Sequence, residues 1–181
     1  MPERNSSSHS VTGEYQAKTF HEAAGLARSP VRFGPKPFGD PFSGVMLVAE
    51  VTVEAVSAQL VDALHRSLAA VKLDQAYVTW PSPDLFEEIL FVEPGALVAV
   101  GFDAAQAIDS LEYPLARMRF LESPEGSWFV WKEGTFGLLL PALAPALDDA
   151  GTKRRFWQAF LALRDLVPAE ETGMQEPDLR S

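Results

Sequence analysis

The side chains that could do chemistry in this chain are few. There are three histidines, His9, His21 and His65, and no two stand at the close spacing that metal ligands use. There is no cysteine, which removes thiolate zinc sites, disulfides and a cysteine nucleophile, and fits a reducing compartment. No Gly-rich phosphate loop or Gly-x-Ser-x-Gly elbow occurs. In Phe33-Gly34-Pro35-Lys36-Pro37-Phe38-Gly39, prolines stand where amide donors are needed. Carboxylates are numerous, and Glu87, Glu88 and Glu93 fall between two expected strands. Adjacent helix residues point apart, so these read as a solvated face rather than an acid/base pair. No metal or cofactor is expected.

Two basic clusters are more unusual. Lys153-Arg154-Arg155 falls in the first turn of an expected helix, where the macrodipole disfavours cations. Asp148 and Asp149 just before it could neutralise it; otherwise an anion or an acidic partner is gripped there. The second cluster lies in two alternating runs, 115–121 and 128–133, around the turn signal Ser123-Pro124-Glu125-Gly126. They read as a β-hairpin. In the preferred register Arg117 opposes Lys132, Met118 opposes Trp131 and Phe120 opposes Phe129. Met118, Phe120, Phe129 and Trp131 then share a core face, and Arg117, Arg119 and Lys132 share the other. A one-residue slip pairs Arg117 with Glu133 but turns Lys132 into the apolar face, a costly exchange. Three neighbouring cations call for anions: carboxylates of the same chain, a bound ligand or an acidic partner.

The rest of the composition bounds the setting. At 181 residues the chain suffices for one domain of ordinary size. Its net charge is −10. Residues 1–44 carry five Lys/Arg against four Asp/Glu, and residues 45–181 carry ten against twenty-one. Such a field repels phosphate backbones, which argues against nucleic-acid binding. No secretory h-region is visible near Met1–Ser10, and no apolar run approaches the roughly 20 residues of a membrane helix. A soluble, cytoplasmic protein without a membrane partner is expected.

These residues must be held by larger elements. Residues 1–44 read as an extended, partly disordered arm. Four prolines between Ser29 and Phe42 forbid regular structure, while Phe33, Phe38 and Phe42 favour burial. The arm should lie over its own domain or a partner. Residues 45–168 read as one α+β domain, and 169–181 as an acidic tail. Val45–Val51 is a strand apolar on both faces, hence central. Thr52 caps a helix with Val53, Val56, Leu60, Leu64, Leu68 and Val71 on one stripe. Gln75–Trp80 is a second strand. Asp84–Val92 is a short helix with a capping-box start or, in its tail, strand. Ala96–Phe102 is a third, central strand. A helix opened by Asp103 and stopped at Tyr113-Pro114 precedes the hairpin. Leu138–Leu147, containing Pro141 and Pro145, reads as a broken helix, and Lys153–Val167 as a clear one.

The order β-α-β-β-α-β is the split β-α-β, ferredoxin-like pattern, here with an added edge strand and C-terminal helices. Two helices cover one face of that sheet, and the C-terminal helices should cover the other, with dimerisation as the second choice. The resulting expectation is a non-catalytic binding or regulatory protein acting through protein–protein contacts. Its surfaces are arm residues Phe33, Phe38 and Phe42 and a hairpin face of Arg117, Arg119, Lys132 and Trp128, with Lys153, Arg154 and Arg155 as a further anion or partner site. The partner is another protein or a second copy of the chain. The alternative is a small enzyme doing carboxylate acid/base chemistry on an anionic metabolite clamped by Arg117 and Arg119. It needs a pocket near those arginines that holds a carboxyl of raised pKa.

Overall fold

The computed structural model of the protein describes residues 35–51 and 58–166. The expected contributions of Phe33 and the arm before it, of Thr52, Val53, Val56 and Val167, and of the tail lie outside them. Strand β1 (Val45–Ala49) is buried at every position. Helix α1 (Ala58–Ala70) buries Leu60, Leu64 and Leu68, one stripe at four-residue steps. Strand β2 (Tyr77–Thr79), helix α2 (Leu85–Val92), strand β3 (Ala96–Val100) and helix α3 (Phe102–Ser110) follow. A 3₁₀ turn (Phe120–Glu122) leads to β4 (Trp128–Lys132) and β5 (Thr135–Leu140). The described chain closes with α4 (Ala144–Asp148), α5 (Ala150–Phe160) and a 3₁₀ segment (Leu161–Leu166).

The five strands form one mixed sheet in the order β2-β1-β3-β5-β4. The pairs β1–β2, β1–β3 and β3–β5 are parallel, and only β4 runs antiparallel, beside β5. This differs from the ferredoxin-like expectation. α1 and α2 each carry the chain back along the sheet, so β2 and β3 start from the same end as β1. After α3 the chain enters antiparallel β4 before β5 resumes the common direction. The segment 85–92 is a true crossover helix, with Leu85, Ile89 and Val92 buried. β1 and β3 are central, as their two-sided apolarity requires.

Pleating distributes the core over both faces. Leu47, Val98 and Leu138, aligned across three strands, pack with Leu64, Phe156 and Phe160 of α1 and α5. Met46, Val48, Leu97 and Ala99 pack with Ile89 of α2, Ile108 of α3, Phe120 and Trp131. α1 and α3 thus lie on opposite faces, not together on one, and α5 shares the α1 face.

Two local expectations are also corrected. The run from Leu138 is strand rather than helix: Leu138, Leu139 and Leu140 are buried in β5. Pro141 ends that strand, and Pro145 sits in the first turn of α4, where its missing N–H costs nothing. The hairpin exists, but between β4 and β5, across Glu133 and Gly134, with Gly134 at φ 78°. Residues 115–119 form no strand.

The two sheet edges are treated differently. Beside β2, Phe38 exchanges both backbone hydrogen bonds with Val78, at 3.0 and 2.8 Å. Gly39 permits this approach, since its φ is +90° and a Cβ there would stand 2.0 Å from the Ala76 carbonyl oxygen. The ring of Phe38 stacks on His65 at 4.0 Å.

Candidate partner-binding surface

The outer edge of β4 is flanked by the segment between α3 and the first 3₁₀ turn, here called the strap, residues 113–121. Tyr113 anchors its start against Trp131, with ring centroids 4.9 Å apart, and leans on Phe86 at 5.4 Å. In the middle, the Arg117 N–H donates to the Trp131 carbonyl at 2.7 Å. At its end Phe120 is buried between Phe129 and Trp131. The carboxylate of Asp109, on the last turn of α3, is only 2% exposed. It accepts the N–H groups of Phe120 at 2.8 Å and Leu121 at 3.0 Å. Phe120 therefore plunges inward, and its neighbours are left outside.

The strap exposes a mixed surface. Leu115, Met118 and Leu121, at three-residue spacing, are 67%, 41% and 37% exposed. Arg117 and Arg119 stand between them. Arg117 reaches Glu133 at 3.4 Å and Arg119 reaches Asp109 at 3.9 Å, so carboxylates of the same chain meet both guanidinium groups. The Arg117–Glu133 contact belongs to the slipped register, although no strand pairing produces it. Lys132 makes no ion pair among the described residues. A cleft of about 370 Å³ between strap and helix is lined by Asp109, Glu112, Tyr113, Met118, Arg119 and Trp131.

Other expected site residues fall elsewhere. Trp128 faces the opposite side of the sheet from Trp131, half-buried, and its indole N–H donates to the Ala162 carbonyl at 3.1 Å. It pins the C-terminal 3₁₀ segment and does not join Arg117 and Arg119. Met118, expected in the core, is exposed. The basic triplet divides. Arg155 bonds Glu125, its Nε at 3.1 Å from the carboxylate, while Lys153 and Arg154 line a groove beside α1. Asp149 spends its carboxylate on the start of α5, accepting the Thr152 N–H at 2.6 Å and hydroxyl at 2.7 Å. Phe42 is largely exposed, with an edge contact to Phe91. Glu88 is not solvated: it is buried and accepts the Thr79 hydroxyl at 2.6 Å.

Sequence reasoning passed over Glu50. It follows β1 at the point where the chain order switches between β1 and β3, the place where ligands of parallel sheets collect. Its carboxylate accepts the Asp103 N–H at 3.3 Å, in the first turn of α3. Burial pushes this carboxyl above its ordinary pKa, against the lowering effect of the Asp103 N–H, and the Asp103 charge adds to the rise. An acid directly after a fully apolar strand was the available signal. No family model matches the chain, and no curated protein matches it significantly.

The enzyme alternative asks for a carboxyl of raised pKa in a pocket beside Arg117 and Arg119. Glu50 bonds the first turn of α3, at Asp103, while Arg119 pairs with the last, at Asp109. Six helical residues separate those points, about 9 Å of rise. Among the described residues no group of three His, Asp or Glu converges as metal ligands would. No described helix is long and apolar enough to cross a membrane.

The raised pKa of Glu50 has a testable consequence. The folded state holds this proton more tightly than the unfolded chain. The resulting stabilisation is complete below the ordinary carboxyl pKa and is lost as pH rises through the raised one. Glu50→Gln keeps an oxygen for the Asp103 N–H and removes the charge. It should raise Tm at pH 7, and the gain should shrink on acidification through the carboxylate range. Equal Tm differences at pH 4 and pH 7 would contradict this assignment.

Proposed function

We propose that the protein is a non-catalytic binding module acting through protein–protein contacts, with the strap as its principal surface. The observation that supports this most is the exposure of Leu115, Met118 and Leu121 within seven residues, interleaved with Arg117 and Arg119. Clustered exposed apolar side chains mark interaction sites, and arginine is enriched in interface cores. The strap is fixed at Tyr113, Arg117 and Phe120, so these groups are presented on a held backbone, which lowers the entropy cost of binding. The lack of cysteine supports a reducing compartment, the cytoplasm, as its place of action. The net charge of −10 speaks against a nucleic-acid partner.

The test is native mass spectrometry of the protein purified from its own host, set beside the double variant Leu115→Ser/Met118→Ser. Wild type is expected to carry a stoichiometric protein partner or a second copy. The variant should lose it by about tenfold or more with unchanged thermal unfolding, because both side chains are exposed. A bare wild-type monomer, or full retention by the variant, overturns the proposal.

A further inference from the structure

A second surface lies away from the strap, between α1 and the α4–α5 pair. It is a groove of about 690 Å³, within the roughly 300–1,000 Å³ range of clefts that bury a ligand. Ala63, Leu143, Leu147 and Trp157 give it an apolar lining, and Arg66, Lys153 and Arg154 a cationic one. Among the described residues no carboxylate lines it, although the chain has 25 acids against 15 Lys/Arg. Arg66 is paired with Asp62 one turn back on α1. Lys153 and Arg154 are exposed and make no ion pair among the described residues. Asp149, the nearest acid ahead of them, is committed to capping α5 through Thr152. α5 begins at Ala150 rather than at Lys153, so Lys153 and Arg154 are its fourth and fifth residues, still near the end where the macrodipole disfavours cations.

We infer that this groove docks an acidic amphipathic helix of a protein partner, its apolar anchors between α1 and α5 and its carboxylates on Lys153 and Arg154. The charge pattern selects this occupant. A basic segment would meet only cations, and a purely apolar one would leave Lys153 and Arg154 desolvated without a counter-charge. A groove between two helices accepts a third through side chains spaced by three and four residues.

The probe is a synthetic helical peptide of roughly 18 residues, five turns. It carries Leu and Phe anchors on one face and Glu on the other, and a counterpart has every Glu replaced by Lys. Fluorescence anisotropy with the full chain at low salt should show saturable binding of the Glu peptide with Kd below about 100 μM. Affinity should fall as salt rises. Lys153→Glu/Arg154→Glu should weaken binding at least tenfold, and Ala63→Trp should weaken it by filling the apolar lining. Leu115→Ser/Met118→Ser should leave it unchanged, which separates this site from the strap. Equal affinity for the Lys peptide, insensitivity to the charge reversal, or no saturation of the Glu peptide by about 1 mM overturns the inference. It is equally overturned if neutralising Glu170, Glu171, Glu176 and Asp178 in the full chain tightens peptide binding tenfold. The chain's own tail would then be the occupant.

Discussion

Trp131→Ala should lower unfolding stability by about 3–5 kcal/mol, the range for truncating a large buried aromatic. Trp131 is 1% exposed and is among the largest fully buried side chains of the described structure. Its ring meets Tyr113 at 4.9 Å and Phe120 at 6.2 Å. Both neighbours belong to the segment between α3 and β4, so the cavity would open beneath the strap itself. Neither can fill it without giving up its own position. Phe120 is fixed through its backbone to Asp109, and Tyr113 is also engaged with Phe86. Against a typical total of 5–15 kcal/mol, such a loss consumes much of the stability. Urea unfolding monitored by circular dichroism measures it. Trp131→Phe should cost clearly less, and a cost under about 1 kcal/mol for Trp131→Ala would place the ring outside the core.

Asp109→Ala should cost about 2–3 kcal/mol, since hydrogen bonds to a charged acceptor contribute roughly 1.5–3 kcal/mol each. One of the two N–H groups, on Leu121, can return to water; the other, on Phe120, is partly buried. The effect should be local as well as global. With the acceptor gone, the amides of Phe120 and Leu121 should exchange hydrogen much faster, while those of β1 and β3 follow only the global loss. Asp109→Asn keeps one acceptor but points an NH₂ group at the other N–H, so it should rescue part of the stability at most. Unchanged exchange at Phe120 and Leu121 would show that the carboxylate does not hold the strap. Because the strap is the proposed contact surface, Asp109→Ala should also weaken partner retention while leaving Leu115, Met118 and Leu121 in place.

The sequence conveyed the elements better than their arrangement. Val45–Val51 and Ala96–Phe102 read as central strands because both faces are largely apolar, and β1 and β3 within them are central. Strand direction was hidden. A ferredoxin-like sheet and this one share most of their element order, and the difference turns on residues 85–92. Taken as an insertion, that segment implies antiparallel neighbours; as a crossover burying Leu85, Ile89 and Val92, it implies parallel ones. The run Leu138–Leu147 shows the limit of periodicity. Three successive leucines serve both faces of a sheet as well as they serve a helix.

The expected hairpin is misplaced because Ser123-Pro124-Glu125-Gly126 is a strong turn signal and 115–121 alternates like a strand, whereas the observed turn lies at Glu133-Gly134. What breaks that alternation is Asp109, which takes the N–H groups of Phe120 and Leu121 into a 3₁₀ turn from eleven and twelve residues away. No local pattern reports such a partner. The cations of the candidate site were visible as types. Their separation into Arg117 with Glu133, Arg119 with Asp109 and Arg155 with Glu125 depends on tertiary contacts.

The strand order also constrains how the chain reaches this state. Only β4 and β5 pair through a short loop; β1 waits for Ala96–Val100, and β3 for Thr135–Leu140. During synthesis from the N-terminus, β3 therefore leaves the ribosome well before the strand that covers its second edge. Until then, the backbone of Leu97, Val98 and Ala99 has no strand partner on that side. Delayed pairing of that kind slows folding and exposes strand edges to other chains. The β4–β5 hairpin is the most local pairing in the sheet.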